Sequence, residues 1–279
     1  MIMMITNDKR MNYLAEYIRE SGVSLVQYDQ NAKTFDLNAL KEVRYFILPF
    51  GGISADGKIA NTNLYLTEDI LRQLPKECVI FTPIKYPKLM ELLEIVPLKY
   101  EIIFDYDEVA IYNSVPTAEG VIYHIIKNTD ITIHQSKILI IGSGRCGQTI
   151  ARDLKALGAH VTVTYRKKDA EARLFELGLH PLHSDFLIGD LHHYDIIVNT
   201  VPTMILDRPA LEELNKDCYV IDISSKPGGV DFEAAKELGI NAELAGSLPS
   251  IVAPKTAAYY LYRFIRDYIA NEIKKGRYQ

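Results

Sequence analysis

The sequence predicts two α/β domains, the second built around a dinucleotide, with a long C-terminal helix that returns to the first. Three observations carry this. A strand, a glycine-rich turn and a helix start follow one another at 137–153, KILIIGSGRCGQTIARD. The chain before it alternates short apolar runs with helix-period stretches, the pattern of a parallel sheet covered by helices. The final segment, Lys255–Lys275, is one amphipathic helical pattern carrying Tyr259, Tyr262, Phe264, Ile265, Tyr268 and Ile269.

In chain order, Met1–Ile5 reads as a strand, Met11–Ser21 as a helix and Val23–Gln27 as a strand. Tyr45–Pro49 is a further strand, opening into the glycine-containing loop Phe50–Asn61. A helix near Leu66–Gln73 and strands near Cys78–Thr82 and Val109–Tyr112 complete the first half. The turn after the first strand, Ile5–Arg10, has no glycine, so this half is not a second dinucleotide site. Thr117–Asn128 is a strong helix pattern with Ser114 and Pro116 as start signals, and reads as a connection between domains. Strands follow at Tyr194–Thr200, Tyr219–Ile223 and Ala242–Ala245, with a helix at Phe232–Leu238. The expected division is an N-terminal α/β substrate domain at 1–115 joined by the return helix 254–279, a connecting helix at 116–130, and a Rossmann NADP-binding domain at 131–253. Two connections between two such domains imply a cleft for ligands.

The motif at 137–153 has the context that a bare glycine spacing lacks. Gly142, Gly144 and Gly147 match G-x-G-x-x-G, Ile138–Ile141 enters the turn, and a second β-branched run, Val161–Thr164, follows one helix later. The first glycine permits a tight turn, the second lets the backbone approach a pyrophosphate, and the third lets helix pack on strand. The helix N-terminus then offers free N–H groups to the phosphates. Ser143, Arg145 and Cys146 complete the turn; Cys146 reads as a small filler rather than a nucleophile. Thr200, Val201 and Pro202 leave a neighbouring strand and would shape the cofactor groove, though an ordinary strand-ending turn reads the same way.

The exit of the second strand bears on which cofactor is bound. An NAD site places an Asp or Glu there for the ribose 2′-hydroxyl. Here Tyr165 is followed by Arg166, Lys167 and Lys168, and no carboxylate comes before Asp169. Arg166 suits a 2′-phosphate as a bidentate partner and Lys167 or Lys168 as a point charge, so NADP is favoured; a solvated basic loop is the alternative.

Composition narrows the class. The 279 residues are 48% hydrophobic and 24% charged, as in soluble globular proteins. The net charge of −5 gives no general attraction to nucleic acid or anionic membrane. No signal-peptide pattern opens the chain, and the three cysteines form no metal or disulfide framework, so a reduced cytoplasmic protein is expected. His180, His183, His192 and His193 cluster near Asp185 and Asp190, but without a helical HxxxH pair, and no metal is expected.

Five stretches carry a resemblance: AIYNSVPTAEG (110–120), TIHQSKILIIGSGRCGQTIARDLKALGA (132–159), NTVPTMIL (199–206), DISSKPGGVDF (222–232) and GSLPSIVAPKTA (246–257). On these the sequence resembles the A subunits of dipicolinate synthase, enzymes of endospore-forming bacteria. The first hundred residues match more loosely: family members carry glycines after the first strand, where Thr6 and Asn7 stand here, while Asp8 and Arg10 remain. The resemblance implies NADP-dependent oxidation in a branch of the lysine (diaminopimelate) pathway during sporulation, in the mother-cell cytoplasm. Hydroxylated tetrahydrodipicolinate would lose water and be oxidised to pyridine-2,6-dicarboxylate. A B subunit of flavoprotein-like fold is the implied partner, and a homo-oligomer is left open.

That chemistry needs a hydride removed from one ring carbon, a proton from another, and donors for two carboxylates. The candidates are Lys255 and Thr256 at the return helix, Lys226 after the strand Tyr219–Ile223, Ser114 and Thr117 at the connecting helix, and the loop glycines Gly51 and Gly52. Glu119 is the candidate acid/base, with a plain helix-start carboxylate as the alternative, and Lys255 is the second catalytic candidate. Two other functions compete. A 2-hydroxyacid dehydrogenase would carry an Arg near Ser224–Lys226 and a His near Gly246–Pro249, and neither is present. A non-catalytic NADP(H)-binding regulatory subunit would need no acid/base group.

Overall fold

The computed structural model describes residues 1–276. They form two compact units, one of Met1–Tyr112 with the segment from Ala253, the other of Asn113–Val252.

The first unit is built on five parallel strands: β1 (Ile2–Ile5), β2 (Leu25–Tyr28), β3 (Tyr45–Ile47), β4 (Val79–Thr82) and β5 (Lys99–Ile102), in the order β2-β1-β3-β4-β5. All four residues of β1 are buried, because a parallel strand is covered on both faces. Met3 and Ile5 join Phe46 and Ile80 in one core, with Leu71 of α3 (Glu68–Gln73) and Leu89 of α4 (Pro87–Ile95). Ile2 and Met4 join Ile47 and Phe81 in the other. That second core is closed by α1 (Lys9–Glu20) and the C-terminal helix α11 (Pro254–Lys274), through Leu14 and Ile18 against Leu261 and Ile265. Tyr17 of α1 meets the Tyr259 ring at 5.7 Å. The expected return helix therefore packs on the N-terminal unit; its last three expected residues, 277–279, lie outside the described residues.

The second unit has six parallel strands: β6 (Lys137–Ile141), β7 (His160–Tyr165), β8 (His180–His183), β9 (Ile196–Asn199), β10 (Tyr219–Asp222) and β11 (Asn241–Leu244). Their order, β8-β7-β6-β9-β10-β11, is the Rossmann order, with a reversal between β6 and β9. α6 (Arg145–Ala156) lays Ile150, Ala151 and Leu154 on one face, in a core with Val121 and Ile125 of α5 (Asp107–Asn128).

The structure corrects two readings. Val109–Tyr112 is helical, not a strand, and α5 begins at Asp107 rather than at 116. Asp107 and Glu108 occupy its first turn, where negative charge meets the positive end of the helix dipole. Pro116 lies inside this helix; it removes one N–H donor but leaves the rest of the ladder. The histidine-rich stretch contains β8, a strand at the edge of the sheet.

A polar cluster ties α5 to the edge of the second sheet. Glu243 on β11 accepts from Tyr219 Oη, from His124 Nδ1 at 2.7 Å and from Asn128 Nδ2 at 2.8 Å. Burial alone would raise the Glu243 pKa; the hydrogen bonds from Tyr219 and His124 outweigh it and bring the carboxyl below its ordinary value. A lowered folded pKa stabilises above the ordinary value of 4.5 and is lost as pH falls through the folded value. In chemical denaturation from pH 6 to pH 3, the stability gap between the wild type and Glu243→Gln should narrow as pH drops below about 4.5; a gap constant over that range contradicts the assignment.

Candidate functional site

β6 ends in the glycine turn, and the steric demands there are unequal. Gly142 takes φ +108°, and a Cβ on it would lie 2.4 Å from Thr200 Oγ1. A Cβ on Gly147 would lie 2.0 Å from the Gly142 carbonyl oxygen, so only glycine lets α6 start this close to β6. A Cβ on Gly144 would meet no other part of the chain within 4 Å. The space there is open and the backbone is ordinary (φ −75°), which is what a ligand approaching the main chain requires. Gly144 caps α6 without a side-chain hydrogen bond, and the first turn holds no acid to compete with a phosphate.

The neighbouring strands hold this turn in place. The Gly142 N–H donates to Thr164 Oγ1 at 2.9 Å, and Thr200 Oγ1 donates to the Ile141 carbonyl at 2.9 Å. Gln148 Nε2 donates to the Ser143 carbonyl at 2.8 Å. Beyond β9 and β10 a fully buried carboxylate does similar work. Asp222 accepts from Asn199 Nδ2 at 2.9 Å and from the Ser224 and Gly229 N–H groups at 2.8 Å each. Asn199 Nδ2 also reaches the Val201 carbonyl at 2.9 Å, joining both loops. The sequence reading missed Asn199 and Asp222; their signal is a polar residue ending each of two apolar strands, IIVN and YVID.

These elements enclose a cavity of about 1120 Å³ within the second unit. Gly142, Ser143 and Gly144 form one wall, Thr200, Val201 and Pro202 another, and Arg166 and Lys167 line the end beyond β7. Arg166 and Lys167 are exposed and have no ion-pair partner among the described residues, whereas Lys168 is paired to Glu171 at 3.0 Å. Arg173 and His183 also line this end, as does Asp169 in the first turn of α7 (Lys168–Glu176). Three of the expected cofactor residues, Arg145, Cys146 and Gly147, do not line it. Gly147 acts through packing, and burial pushes the Cys146 thiol up, opposite to what a nucleophile needs.

The other expected residues are divided between the units. In the second, Glu119 on α5 and Lys226 beyond β10 are exposed. Ser114 is fully buried with its Oγ 2.6 Å from Thr149 Oγ1, and Thr117 Oγ1 donates to the Asn113 carbonyl at 2.8 Å. In the first, Lys255 and Thr256 are exposed in the first turn of α11, behind Pro254. Gly51 and Gly52, at φ +99° and +100°, line a separate cavity of about 400 Å³ with Ser54, Asn61 and Tyr86. Among the described residues no group of three or more metal-ligating side chains comes together. No described helix is long and apolar enough to cross a membrane.

The open space at Gly144 and the closed contact at Gly147 predict different outcomes for the same substitution. Gly144→Ala should keep stability within about 1 kcal/mol of wild type while weakening dinucleotide binding at least about tenfold. Gly147→Ala should cost about 1–3 kcal/mol of stability by overpacking. Denaturant melts and fluorescence titration with reduced nicotinamide dinucleotides read both; unchanged affinity in Gly144→Ala contradicts the cradle.

Comparison with known proteins agrees with this geometry. Residues 2–101 match the family model of the N-terminal domain of the dipicolinate synthase A subunit. Residues 121–234 match that of the D-isomer specific 2-hydroxyacid dehydrogenase NAD binding domain, which makes the second unit a dehydrogenase-type nicotinamide-dinucleotide domain. The chain is 37% identical over 265 residues to the A subunit of dipicolinate synthase from Bacillus subtilis (strain 168), covering 91% of this chain and 89% of that protein. The crystal structure of the dipicolinate synthase A subunit from Bacillus halodurans superposes with a TM-score of 0.88 at 33% identity, covering 96% of this chain and 97% of that one. D-lactate dehydrogenase from Escherichia coli shares the fold alone, with a TM-score of 0.64 at 15% identity, covering 99% and 98%. By sequence over nine-tenths of its length, and by the fold that carries the dinucleotide cradle, the chain belongs to the family of dipicolinate synthase A subunits.

Proposed function

We propose that this chain is the NADP-dependent oxidoreductase subunit of a dipicolinate synthase. In this reading 4-hydroxy-tetrahydrodipicolinate first loses water. The resulting dihydrodipicolinate then gives a hydride to NADP and a proton to a base, leaving pyridine-2,6-dicarboxylate and NADPH. The observation that carries the reading is the 37% identity to the Bacillus subtilis protein across 91% of the chain. The subunit name of that relative implies a partner, for which we infer a flavoprotein-like B subunit. The mother-cell cytoplasm of a sporulating bacterium is the expected setting.

The residues suit the cofactor. A pyrophosphate fits over Gly144 at the uncapped start of α6, in the space the chain leaves open. Arg166 and Lys167, free of ion pairs among the described residues, would hold the 2′-phosphate. Bound there, the nicotinamide supplies a hydride acceptor at C4. Thr200, Val201 and Pro202 wall the groove, and the Asn199–Asp222 pair fixes the loop that carries them. Aromatisation drives the oxidation, so the protein's task is mainly to orient the ring.

Glu119, exposed on α5, is proposed to take the ring proton. In the first unit Lys255, Thr256 and the Gly51–Gly52 turn, and in the second Lys226, are each proposed as carboxylate donors. The hydroxyls of Ser114 and Thr117 are already bonded to Thr149 and to the Asn113 carbonyl, so we assign them to positioning α5 instead.

The test mixes purified chain, alone and with a B subunit, with freshly generated dihydrodipicolinate and NADP. NADPH and dipicolinate should appear together; their absence from both mixtures sinks the enzyme reading. In the same assay Arg166→Asp should lower the NADP-over-NAD ratio of kcat/KM by at least about tenfold, and an unchanged ratio contradicts the role given to Arg166.

A further inference from the structure

The strand order β2-β1-β3-β4-β5 gives the first sheet its own reversal point, between β1 and β3. In open parallel sheets, ligands collect at the carboxyl edge of such a point. The residues that follow β1 and β3 there are Thr6–Arg10 and Leu48–Gly52. They are joined by Asn7, whose Nδ2 donates to the Phe50 carbonyl at 2.6 Å and to the Ala60 carbonyl at 2.9 Å.

Arg10 is the chemical oddity of this edge. It is only 3% exposed, and a buried guanidinium requires acceptors for five N–H groups. Among the described residues it has one acceptor, Asp8 Oδ2 at 3.0 Å from Nη2. Asp8 is itself shared, since its Oδ1 caps α1 by accepting from the Met11 N–H at 2.8 Å. The Phe50 ring lies 3.2 Å from the guanidinium carbon and covers a face of the plane, where no hydrogen bond can form. Nε is buried without a partner, and so is Asn7 Oδ1. Burial accordingly pulls the guanidinium pKa down, against the opposing pull of Asp8.

Tyr86 supplies a further donor, beside the Gly51–Gly52 turn with which it lines a cavity. As a donor the Tyr86 hydroxyl makes one long hydrogen bond, 3.5 Å to the Pro49 carbonyl. Burial pushes its pKa up to about 12, so at neutral pH it stays an O–H donor. The Gly52 and Gly51 backbone lies close enough to the phenol oxygen to oppose that rise. A planar fork short of acceptors, a phenol with a weak one and a left-handed glycine pair match the needs of a planar carboxylate. We propose that Arg10, Tyr86 and the Gly51–Gly52 turn form a carboxylate receptor in the first unit, which takes one of the two carboxylates of the substrate. The receptor rests on geometry; the identity of its ligand rests on the reaction proposed above.

The test is calorimetry of the full chain with pyridine-2,6-dicarboxylate and, separately, with NADPH. The wild type should bind the dicarboxylate. Arg10→Gln should bind it at least about tenfold more weakly with NADPH affinity unchanged, and Arg10→Lys should recover part of the loss. Equal dicarboxylate affinity in a folded Arg10→Gln overturns the receptor. If Arg10→Gln does not fold, Tyr86→Phe decides: a several-fold loss supports the receptor and an unchanged affinity overturns it. A wild type that binds NADPH but no dicarboxylate at millimolar concentration also overturns it. Arg10-dependent binding without any turnover would instead leave the receptor standing and remove the reaction.

Discussion

The second unit depends on one contact that no side chain could survive. With a Cβ at Gly147 only 2.0 Å from the Gly142 carbonyl oxygen, α6 begins against β6 because position 147 is glycine. That closeness sets where the first N–H groups of α6 point and leaves open space before Gly144. The cradle is therefore a packing result before it is a binding site. Its anion preference comes from uncapped donors and a first turn free of acids, not from any dedicated phosphate ligand in the turn.

Around this contact the polar groups are matched in a way that makes the cavity rigid. Thr164 and Thr200 fix the backbone on either side of the turn, one by accepting from Gly142 and one by donating to Ile141. Asp222 and Asn199 do the same for the loops beyond β9 and β10 from within the core. A buried carboxylate that lost these three donors would be costly, so the two loops hold their places relative to one another. Order at the strand ends is thus supplied by four short polar side chains, while the surrounding sheet is almost wholly apolar.

What could be read from the sequence was local. The glycine spacing, the apolar strand before it and the cations at 166–168 are contiguous signals, and the Rossmann order of the second sheet follows from them. The helix Phe232–Leu238 lies where its pattern placed it, between an Asp231 cap and a left-handed Gly239. Non-local features escaped. Asn199 and Asp222 are far apart in sequence and meet only because β9 and β10 pair in register. Arg10 and Tyr86 come near each other through the first sheet, and no motif links them. Pro116 misled in the opposite sense: proline usually marks a helix start, but here nine helical residues precede it and tolerate one missing donor. The edge strands β5, KYEI, and β8, HPLH, lacked the apolar run by which most other strands were recognised.

In the proposed reading, cofactor specificity falls on two exposed side chains. Arg166 and Lys167 line the cavity where a second-strand carboxylate would otherwise stand, and neither is spent on an ion pair among the described residues. Being exposed, they act through charge that salt can screen. The most direct measurement is an equilibrium titration of the full chain with NADPH and with NADH, followed by nicotinamide fluorescence at two salt concentrations. Binding of NADPH at least about tenfold tighter than NADH, with the gap shrinking as salt rises, is the result expected; equal affinities or tighter binding of NADH would contradict the assignment.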